Sequence, residues 1–364
     1  MDLALLEQTL AARKEPRFRA HQIWAWTARG AQGYEEMTDL PAGLREQLAR
    51  ELPYSSLRLR TEARAGDGTV KALFATADGR ALEAVLMRYR DRRRSICLSS
   101  QSGCPFTCTF CATGQMKFAR NLTASEILDQ ALHFHRLVGA GARLTNCVFM
   151  GMGEPMLNLE NVLAACERLP DLGIGHRHTA ISTVGWIPGI EALAEQELPV
   201  RLALSLHAAE EGLRSQLMPV NERYPLSEVI EACCAFYARK RRRVLVEYVM
   251  LKGVNDRYEQ ALALARLLMR GSGAEDRRTG RAIFKVNLIP YNPTGSPYEG
   301  STRASIAAFR DALQEHGVPA TIRLTRGQDI DAACGQLAAG RPLRNPPLPS
   351  PPAHTSCPTH TSSP

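Results

Sequence analysis

Short apolar runs rich in β-branched residues alternate with helical segments from residue 94 onward. Near-continuous apolar strands of this kind are typical of parallel sheets, which are covered on both faces by the helices of right-handed crossovers. Thr123 can accept a hydrogen bond at the start of one such helix while Glu126 returns it, which predicts a capping box. The pattern predicts an α/β fold arranged as an open or closed barrel. Its strands are RSICLSS, TNCVFM, HTAIST, VRLALSLH, RVLVEYVML, FKVNLIPY and ATIRLT.

The chain before residue 94 has a different pattern. Residues 1 to about 55 predict short amphipathic helices, in which Trp24 and Trp26 are expected to pack in a core. From about 59 to 90 apolar and polar residues alternate, as in RALEAVLMRY, and this period predicts a small sheet. The first part of the chain therefore precedes the main α/β domain as a helical region followed by a β extension.

Composition and charge narrow the class of protein. Of the 364 residues, 45% are hydrophobic and 23% are charged, which is typical of a globular chain. No apolar run approaches the roughly 20 residues that span a bilayer, and MDLALLEQTLAARKEP resembles no signal peptide, so we expect a cytoplasmic protein without membrane contact. The net charge of +8 and the basic runs RDRRRS, ARKRRR and DRRTGR modestly favour a nucleic acid as partner over merely solvated surfaces.

The chain has ten cysteines, which in a reducing compartment favour metal binding or catalysis over a disulfide framework. Cys104, Cys108 and Cys111 follow a predicted strand with the spacing C-x3-C-x2-C. Structural zinc sites usually combine two separated pairs, or a pair with histidines. Thiolates also hold [4Fe–4S] clusters, which normally take four. Three thiolates would leave one iron open to bind a substrate or cofactor.

This spacing, on a loop after the first strand of an α/β barrel, resembles the radical S-adenosylmethionine (SAM) superfamily. The resemblance implies a partial (β/α) barrel in which the open iron chelates SAM and an electron releases a 5′-deoxyadenosyl radical. Gly153, Glu154 and Pro155 follow the next strand as a loop suited to the amino group of SAM. Gly151 and Gly153 lack the third glycine of a dinucleotide-binding fingerprint, which disfavours a conventional methyltransferase.

A narrower resemblance extends over most of residues 15 to 340. The segments TGQMKFARNLTASEI, SLHAAEEGLRSQLMPVN, VMLKGVNDRYEQAL, NLIPYNP and TRGQDIDAACGQLA resemble the RlmN/Cfr family of radical SAM enzymes, which methylate an adenine ring carbon in RNA. The family implies 23S rRNA at the peptidyl transferase centre as substrate, with the tRNA adenosine 3′ to the anticodon as a second one. It also implies an electron donor such as flavodoxin or ferredoxin, and nothing in the sequence suggests more than a monomer.

The resemblance assigns chemical roles to individual residues. Adenine C2 is not a nucleophile, so a carbon radical must add to the ring, and the family's relay cysteine falls on Cys334. One SAM methylates its sulfur, and a second converts the methyl group to a methylene radical. Cys97 would break the protein–RNA thioether, leaving a transient Cys97–Cys334 disulfide. Glu83 matches the family's proton acceptor. The implied SAM pocket contains Gly153, Glu154, Ser182, Ser205, Leu206, His207 and Asn292.

Several alternatives stay open at this point. From the residues alone, Cys97 and Cys334 read as packing cysteines, Glu83 as a salt-bridged strand glutamate and His207 as a core histidine. Methylation at C8, as in the Cfr branch, is a second reaction, although TRG before DIDAAC is closer to the C2 branch. A metal-dependent RNA-binding module without activity is the third reading. Cys147, Cys166, Cys233 and Cys234 are assigned to packing.

Four regions summarise the predicted organisation. Residues 1–58 are expected to form an N-terminal helical accessory domain that binds RNA, and residues 59–94 the small β extension. Residues 95–340 form the radical SAM core. The proline-rich residues 341–364 cannot bury a core and are expected to be a disordered tail, while 270–282 is expected to be a surface insertion.

Overall fold

The computed structural model describes residues 1–139, 141–270, 275–276 and 281–338. The predicted tail at 341–364 lies outside these residues, as does most of the predicted insertion. The helices are α1 (Leu3–Ala12), α2 (Phe18–Ala28), α3 (Ala42–Glu51), α4 (Ala124–Val138), α5 (Leu159–Arg168), α6 (Ile187–Glu195), α7 (Glu211–Leu217), α8 (Leu226–Lys240), α9 (Tyr258–Arg270) and α10 (Arg303–Glu315).

The strands alternate with these helices along the chain. They are β1 (Leu57–Arg64), β2 (Val70–Thr76), β3 (Ala81–Arg88), β4 (Arg94–Cys97), β5 (Gln101–Ser102), β6 (Arg120–Asn121), β7 (Asn146–Phe149), β8 (Thr179–Thr183), β9 (Arg201–Ser205), β10 (Val244–Met250), β11 (Glu275–Asp276), β12 (Arg281–Ala282), β13 (Phe284–Pro290) and β14 (Ala320–Ile322).

One large sheet organises the molecule, in the order β1-β2-β3-β4-β7-β8-β9-β10-β13-β14. Its strands run parallel from β4 to β14, and helices connect them. Every strand predicted from an apolar run is present, which confirms the partial (β/α) barrel. The physical reason is visible in β8, where all five residues are buried, because helices cover the outer face while side chains fill the interior.

The capping box at the start of α4 is also confirmed. The Oγ1 atom of Thr123 accepts a hydrogen bond from the Glu126 amide at 3.2 Å, and Glu126 Oε2 accepts one from the Thr123 amide at 2.9 Å. Arg120 donates to both carboxylate oxygens of Glu126 and, at 2.6 Å, to Asp78. The helix start is therefore fixed to the segment just after the cysteine loop and to the β2–β3 turn.

The N-terminal helices have a small core of their own, to which α1, α2 and α3 contribute apolar residues such as Leu6, Ile23 and Leu48. Trp26 packs against this core, whereas Trp24 belongs to the main one. The indole of Trp24 donates to Asp171 at 2.7 Å, which joins α2 to the segment after α5. Both tryptophans pack as predicted. None of the helices in the described ranges is long and apolar enough to cross a membrane.

The β extension differs from the alternating pattern expected for it. Its strands β1 to β3 form an antiparallel meander that continues the main sheet through β4. Residues of β2 and β3 are buried on both faces, so these two strands lack the solvated face that alternation predicts. The charged residues Lys71 and Glu83 are among the buried ones.

Candidate active site

A cavity that is partly open to solvent lies where the parallel strands end at their carboxyl termini. Active sites of α/β barrels gather at this edge, because the loops that follow the strands converge there. The cavity brings together residues that are far apart in sequence. Those predicted from the sequence are Cys104, Cys108, Cys111, Gly153, Glu154, Ser182, Ser205, His207, Asn292 and Cys334.

The three cysteines lie on one tight loop beside the cavity. Cys108 is buried, the others are half-buried, and the Cys111 amide donates to the Cys108 carbonyl at 3.2 Å. A side chain at Gly114 would place its Cβ 2.7 Å from that carbonyl oxygen, so the loop needs glycine there. Burial raises the pKa of all three thiols, for Cys104 to about 12. The loop thus presents protonated thiols that a bound cationic centre would convert to thiolates.

The three thiols provide the donor set of a cluster site. They come from one loop, and all three residues line the cavity. In a [4Fe–4S] cluster each cysteine binds a different iron, so thiols spaced around one cavity are suitable ligands. The donor set of three sulfurs therefore fits the cluster that the sequence predicts.

The Gly-Glu-Pro loop forms a neighbouring wall of the cavity. Gly153 has a φ of +98°, and a Cβ there would lie 2.5 Å from Gln101 Cβ, so the position needs glycine. The Glu154 carboxylate accepts hydrogen bonds from the amides of Val184 at 2.9 Å and Met156 at 3.1 Å. Burial raises the pKa of Glu154 to about 7 in spite of these bonds. A cation entering the cavity would stabilise the charged form of this carboxylate.

The sequence left open whether His207 belongs to the SAM pocket or to the core, and the structure shows it in both places. Its φ of +60° is left-handed, and its Nδ1 atom accepts a hydrogen bond from the Val249 amide at 3.0 Å. Its carbonyl accepts from the Asn255 side chain at 2.8 Å. Burial lowers its pKa to about 3, so the ring is neutral and carries its hydrogen on Nε2. The residue is held as a core histidine and also lines the cavity.

Of three further residues predicted for the SAM pocket, two line the cavity and one does not. The hydroxyls of Ser182 and Ser205 lie 3.2 Å apart at the ends of adjacent strands, and both line the cavity. Leu206 is fully buried and is absent from the described lining of the cavity. The backbone of Leu206 forms two hydrogen bonds behind the cavity. Its amide donates to the Glu247 carbonyl at 3.1 Å, and its carbonyl accepts from Arg214.

Cys334 and Cys97 meet in a second, smaller cavity. Cys334 lines both cavities, whereas Cys97, the last residue of β4, lines only the smaller one among the cavities described. The Asn292 side chain donates to the Cys334 carbonyl at 3.1 Å and accepts from Gln328 at 2.7 Å. Burial raises the pKa of Cys97 to about 12, and the Arg323 guanidinium opposes this rise. The structure therefore places the two free thiols in the lining of the same small cavity.

Glu83 lies on β3 and is almost fully buried. It pairs with the Lys71 ammonium at 3.3 Å and accepts a hydrogen bond from the Ala338 amide at 2.8 Å. It is not part of the described lining of either cavity. The structure thus shows Glu83 in a salt bridge on its strand, and its role as proton acceptor stays a prediction.

Sequence reasoning missed a buried arginine behind the site. Arg214 has no exposed surface, and its guanidinium donates to the carbonyls of Val184 at 2.7 Å and Leu206 at 3.3 Å and to Asn221 at 2.6 Å. Burial lowers its pKa to about 10. The residue ties together the loops after two neighbouring strands. Its only signal in the sequence was its place within SLHAAEEGLRSQLMPVN, a segment otherwise read for its histidine.

Comparison with known proteins agrees with this geometry. Two family models match the chain, "Ribosomal RNA large subunit methyltransferase N-terminal domain" over residues 1–52 and "Radical SAM superfamily" over residues 98–265. A protein of Thermus thermophilus described as "Probable dual-specificity RNA methyltransferase RlmN" is 48% identical over 340 residues, which cover 91% of this chain and 92% of the relative. The "Dual-specificity RNA methyltransferase RlmN" of an Anaeromyxobacter species is 43% identical and covers 98% of this chain and 94% of its own length.

A solved structure extends the agreement to the fold. The crystal structure of a radical SAM methyltransferase from Sphaerobacter thermophilus superposes with a TM-score of 0.85 at 44% identity, over 93% of this chain and 97% of that one. Radical SAM enzymes use a [4Fe–4S] cluster and SAM, and the three-thiol loop and the adjoining cavity fit both groups. These relatives, the fold and the site together show that the chain belongs to the RlmN family of radical SAM RNA methyltransferases.

Proposed function

We propose that this protein methylates C2 of an adenine in RNA through a relay on Cys334. The observation that carries the proposal is the position of Cys334, which lines the large cavity together with the three-cysteine loop and the small cavity together with Cys97. A relay residue must reach the methyl donor on one side and a resolving thiol on the other. The alternative reading, a packing cysteine, gives no reason for this double placement.

The residues of the large cavity would hold the cofactors. Cys104, Cys108 and Cys111 would bind the cluster, and the Glu154 carboxylate would attract the ammonium group of SAM. When bound, the cluster and SAM supply the methyl group and the carbon radical that the chemistry requires. Ser182, Ser205, His207 and Asn292 offer further polar groups around the same space.

The protein's own residues would then carry the methyl group to the base. Cys334 would accept the methyl group on its sulfur and lose one hydrogen atom from it to the carbon radical derived from SAM, and the resulting methylene radical would add to adenine C2. The adduct would give up one electron, for which the cluster oxidised during SAM cleavage would be the acceptor, and would lose the C2 hydrogen as a proton. The Cys97 thiolate would then attack the Cys334 sulfur, so that an S–S bond forms, the sulfur–carbon bond to the base breaks and the released carbon takes up a proton to become the methyl group. The resulting disulfide is reduced by thiol exchange.

The proposed substrates are 23S rRNA and tRNA. The relatives named as dual-specificity RNA methyltransferases support RNA as the substrate, and the matched N-terminal region is named for the RNA of the large ribosomal subunit. The tRNA follows from the resemblance of the sequence to the RlmN/Cfr family. The net charge of +8 would attract the RNA phosphates, so binding should weaken strongly with salt. The base must leave its stack to reach a half-buried cysteine inside a cavity. We further propose that residues 1–58 assist RNA binding, that the electron donor is a flavodoxin or ferredoxin, and that the protein acts as a cytoplasmic monomer.

The test is a reaction with defined RNA. The cluster is reconstituted anaerobically, and the protein is incubated with SAM, reductant and an unmodified 23S rRNA fragment or tRNA. Mass spectrometry of the digested nucleosides should find 2-methyladenosine, and the Cys334→Ala variant should form none. A product of 8-methyladenosine would assign the chain to the other reaction of the family. Absence of methylated adenosine from both RNAs would overturn the proposal.

A further inference from the structure

The backbone around Cys334 is held at both ends by one buried ion pair. We call residues 331–338 the relay segment. The Lys71 ammonium donates to the Asp331 carbonyl at 3.2 Å, at the start of the segment. The Glu83 carboxylate accepts from the Ala338 amide at 2.8 Å, at its end. The two side chains pair with each other at 3.3 Å and are almost completely buried.

The geometry points to Lys71 as a positioning residue that, together with Glu83, clamps the relay segment so that Cys334 faces Cys97 and the large cavity. The inference rests on the proposed relay function of Cys334. It gives the β extension a role in the active site, since Lys71 lies on β2 and Glu83 on β3.

The relay segment needs such anchors because it has little regular structure of its own. No helix or strand of the described chain includes residues 331–338. Asp331 has a φ of +52°, and a left-handed conformation is unfavourable for a residue with a side chain. Backbone in such conformations persists only when its surroundings hold it in place.

Further anchors of the segment come from the cofactor side of the site. The Ala112 amide donates to the Gly335 carbonyl at 2.8 Å, and the Thr113 hydroxyl donates to the Leu337 carbonyl at 2.6 Å. These two bonds come from the loop that carries the three cysteines. The loop after β13 adds the bond from the Asn292 side chain to the Cys334 carbonyl. Lys71 and Glu83 hold the two ends of the same segment from the β extension.

A buried ion pair is not needed merely to fill this space. Taking two charges out of water costs several kcal/mol per ion, and apolar residues of similar volume are often at least as stabilising. Here the charged groups bind the backbone of the relay segment. One carboxylate oxygen of Glu83 accepts a hydrogen bond from the Ala338 amide, while the other pairs with the Lys71 ammonium. Burial raises the pKa of Glu83, and Lys71 opposes that rise, so the lysine favours the charged, stronger acceptor.

The experiment measures the position of Cys334 without requiring RNA. The full-length, cluster-loaded protein is equilibrated with glutathione redox buffers, and the Cys97–Cys334 disulfide is quantified by peptide mass spectrometry. The rate of Cys334 alkylation by N-ethylmaleimide is measured on the reduced protein. In the Lys71→Met variant we expect the disulfide equilibrium constant to fall by ~tenfold or more and alkylation to accelerate by ~tenfold or more, because a loosened segment lowers the effective concentration of the two thiols.

Two further variants separate positioning from loss of stability. Lys71→Met leaves Glu83 buried without its lysine, so the double variant Lys71→Met/Glu83→Leu removes both charges and should recover thermal stability but not the disulfide equilibrium. Glu62→Gln is the matched control, since Glu62 joins β1 of the same extension to His133 at 2.8 Å and does not bond to the relay segment. It should leave both readouts within about twofold of the wild type.

The outcomes distinguish this inference from the proposed function. Wild-type disulfide equilibrium and alkylation rate in both Lys71 variants would overturn the clamp. Equal changes in Glu62→Gln would also overturn it, because general loosening of the extension would then explain the effect. Failure of the wild type to methylate RNA would reject the proposed function, whereas the thiol measurements would still report on the clamp.

Discussion

Cys97 and Cys334 line the same small cavity, although one ends a central strand and the other lies near the end of the described chain. If Cys97 resolves the protein–RNA thioether, its removal should stop the reaction after the base has become attached. We expect Cys97→Ala to accumulate a covalent protein–RNA adduct, visible as a reduced-mobility band that nuclease digestion collapses. Cys334→Ala should form no adduct.

A third cysteine provides the matched control for this prediction. Cys234 lies on α8 and lines neither of the two described cavities that contain Cys334. Cys234→Ala should turn over with wild-type kinetics and give no adduct. Normal product release by Cys97→Ala would show that another group resolves the intermediate.

Arg323 should govern the reactivity of these thiols. It lines the small cavity, and its guanidinium opposes the burial that raises the pKa of Cys97 to about 12. Removing the positive charge should raise that pKa further, so less thiolate is present at any pH below it. We expect Arg323→Gln, in a Cys334→Ala background, to slow alkylation of Cys97 by iodoacetamide several-fold between about pH 8 and about pH 10.

Arg326 offers a control within the same cavity. It also lines the small cavity, but its guanidinium pairs with Asp67 at 3.6 Å and lies over the Tyr89 ring. Arg326→Gln should change the alkylation rate of Cys97 much less. Faster alkylation in Arg323→Gln would reverse the expected sign and show that the arginine shields Cys97 from the reagent.

Glu154 should determine the affinity for SAM. A glutamine there keeps one carbonyl acceptor for the two amides of Val184 and Met156 and loses the negative charge. A hydrogen bond to a charged group contributes about 1.5–3 kcal/mol, so Glu154→Gln should weaken SAM binding by ~tenfold or more. Equilibrium dialysis with labelled SAM on cluster-loaded protein measures this change. Glu160→Gln, at an exposed position of α5, is the control, and equal affinities would exclude Glu154 from the SAM site.

The capping box of α4 should contribute measurably to stability. Thr123→Ala removes the acceptor for the Glu126 amide, and loss of a threonine cap costs about 1 kcal/mol. Thr302 caps α10 through the Ser305 amide without a returning carboxylate, so Thr302→Ala should cost no more than Thr123→Ala. Urea unfolding of both variants compares them. A larger loss at Thr302 would contradict the added contribution of Glu126.

The parts of the fold that were predicted correctly depend on local signals. The apolar runs of β8 and β10 indicate buried parallel strands because neighbouring helices cover one face and the barrel interior the other. The capping box involves residues three positions apart, and the three cysteines lie within eight positions of one another. Each of these features is specified within a short stretch of chain.

The relationships that escaped prediction join distant segments. Lys71 carried no signal in the sequence, and its contact with the relay segment 260 positions away appears only in the folded chain. The partner of Glu83 and its bond to Ala338 were likewise not predicted. Arg214 has an ordinary charged-helix context, and its buried partners lie on loops after other strands. The hydrophobic pattern of a single segment does not predict these contacts, because they join residues that are far apart in the sequence.

The central claim is that the methyl group reaches RNA through Cys334 and not directly from SAM. The most direct test supplies SAM with a fully deuterated methyl group and measures the mass of the 2-methyladenosine formed in a single turnover, after Cys334 has been pre-methylated with the same SAM. The relay removes one hydrogen from the methyl group before it adds to the base, so the product should retain two of the three deuterium atoms. A product that retains all three would contradict the relay.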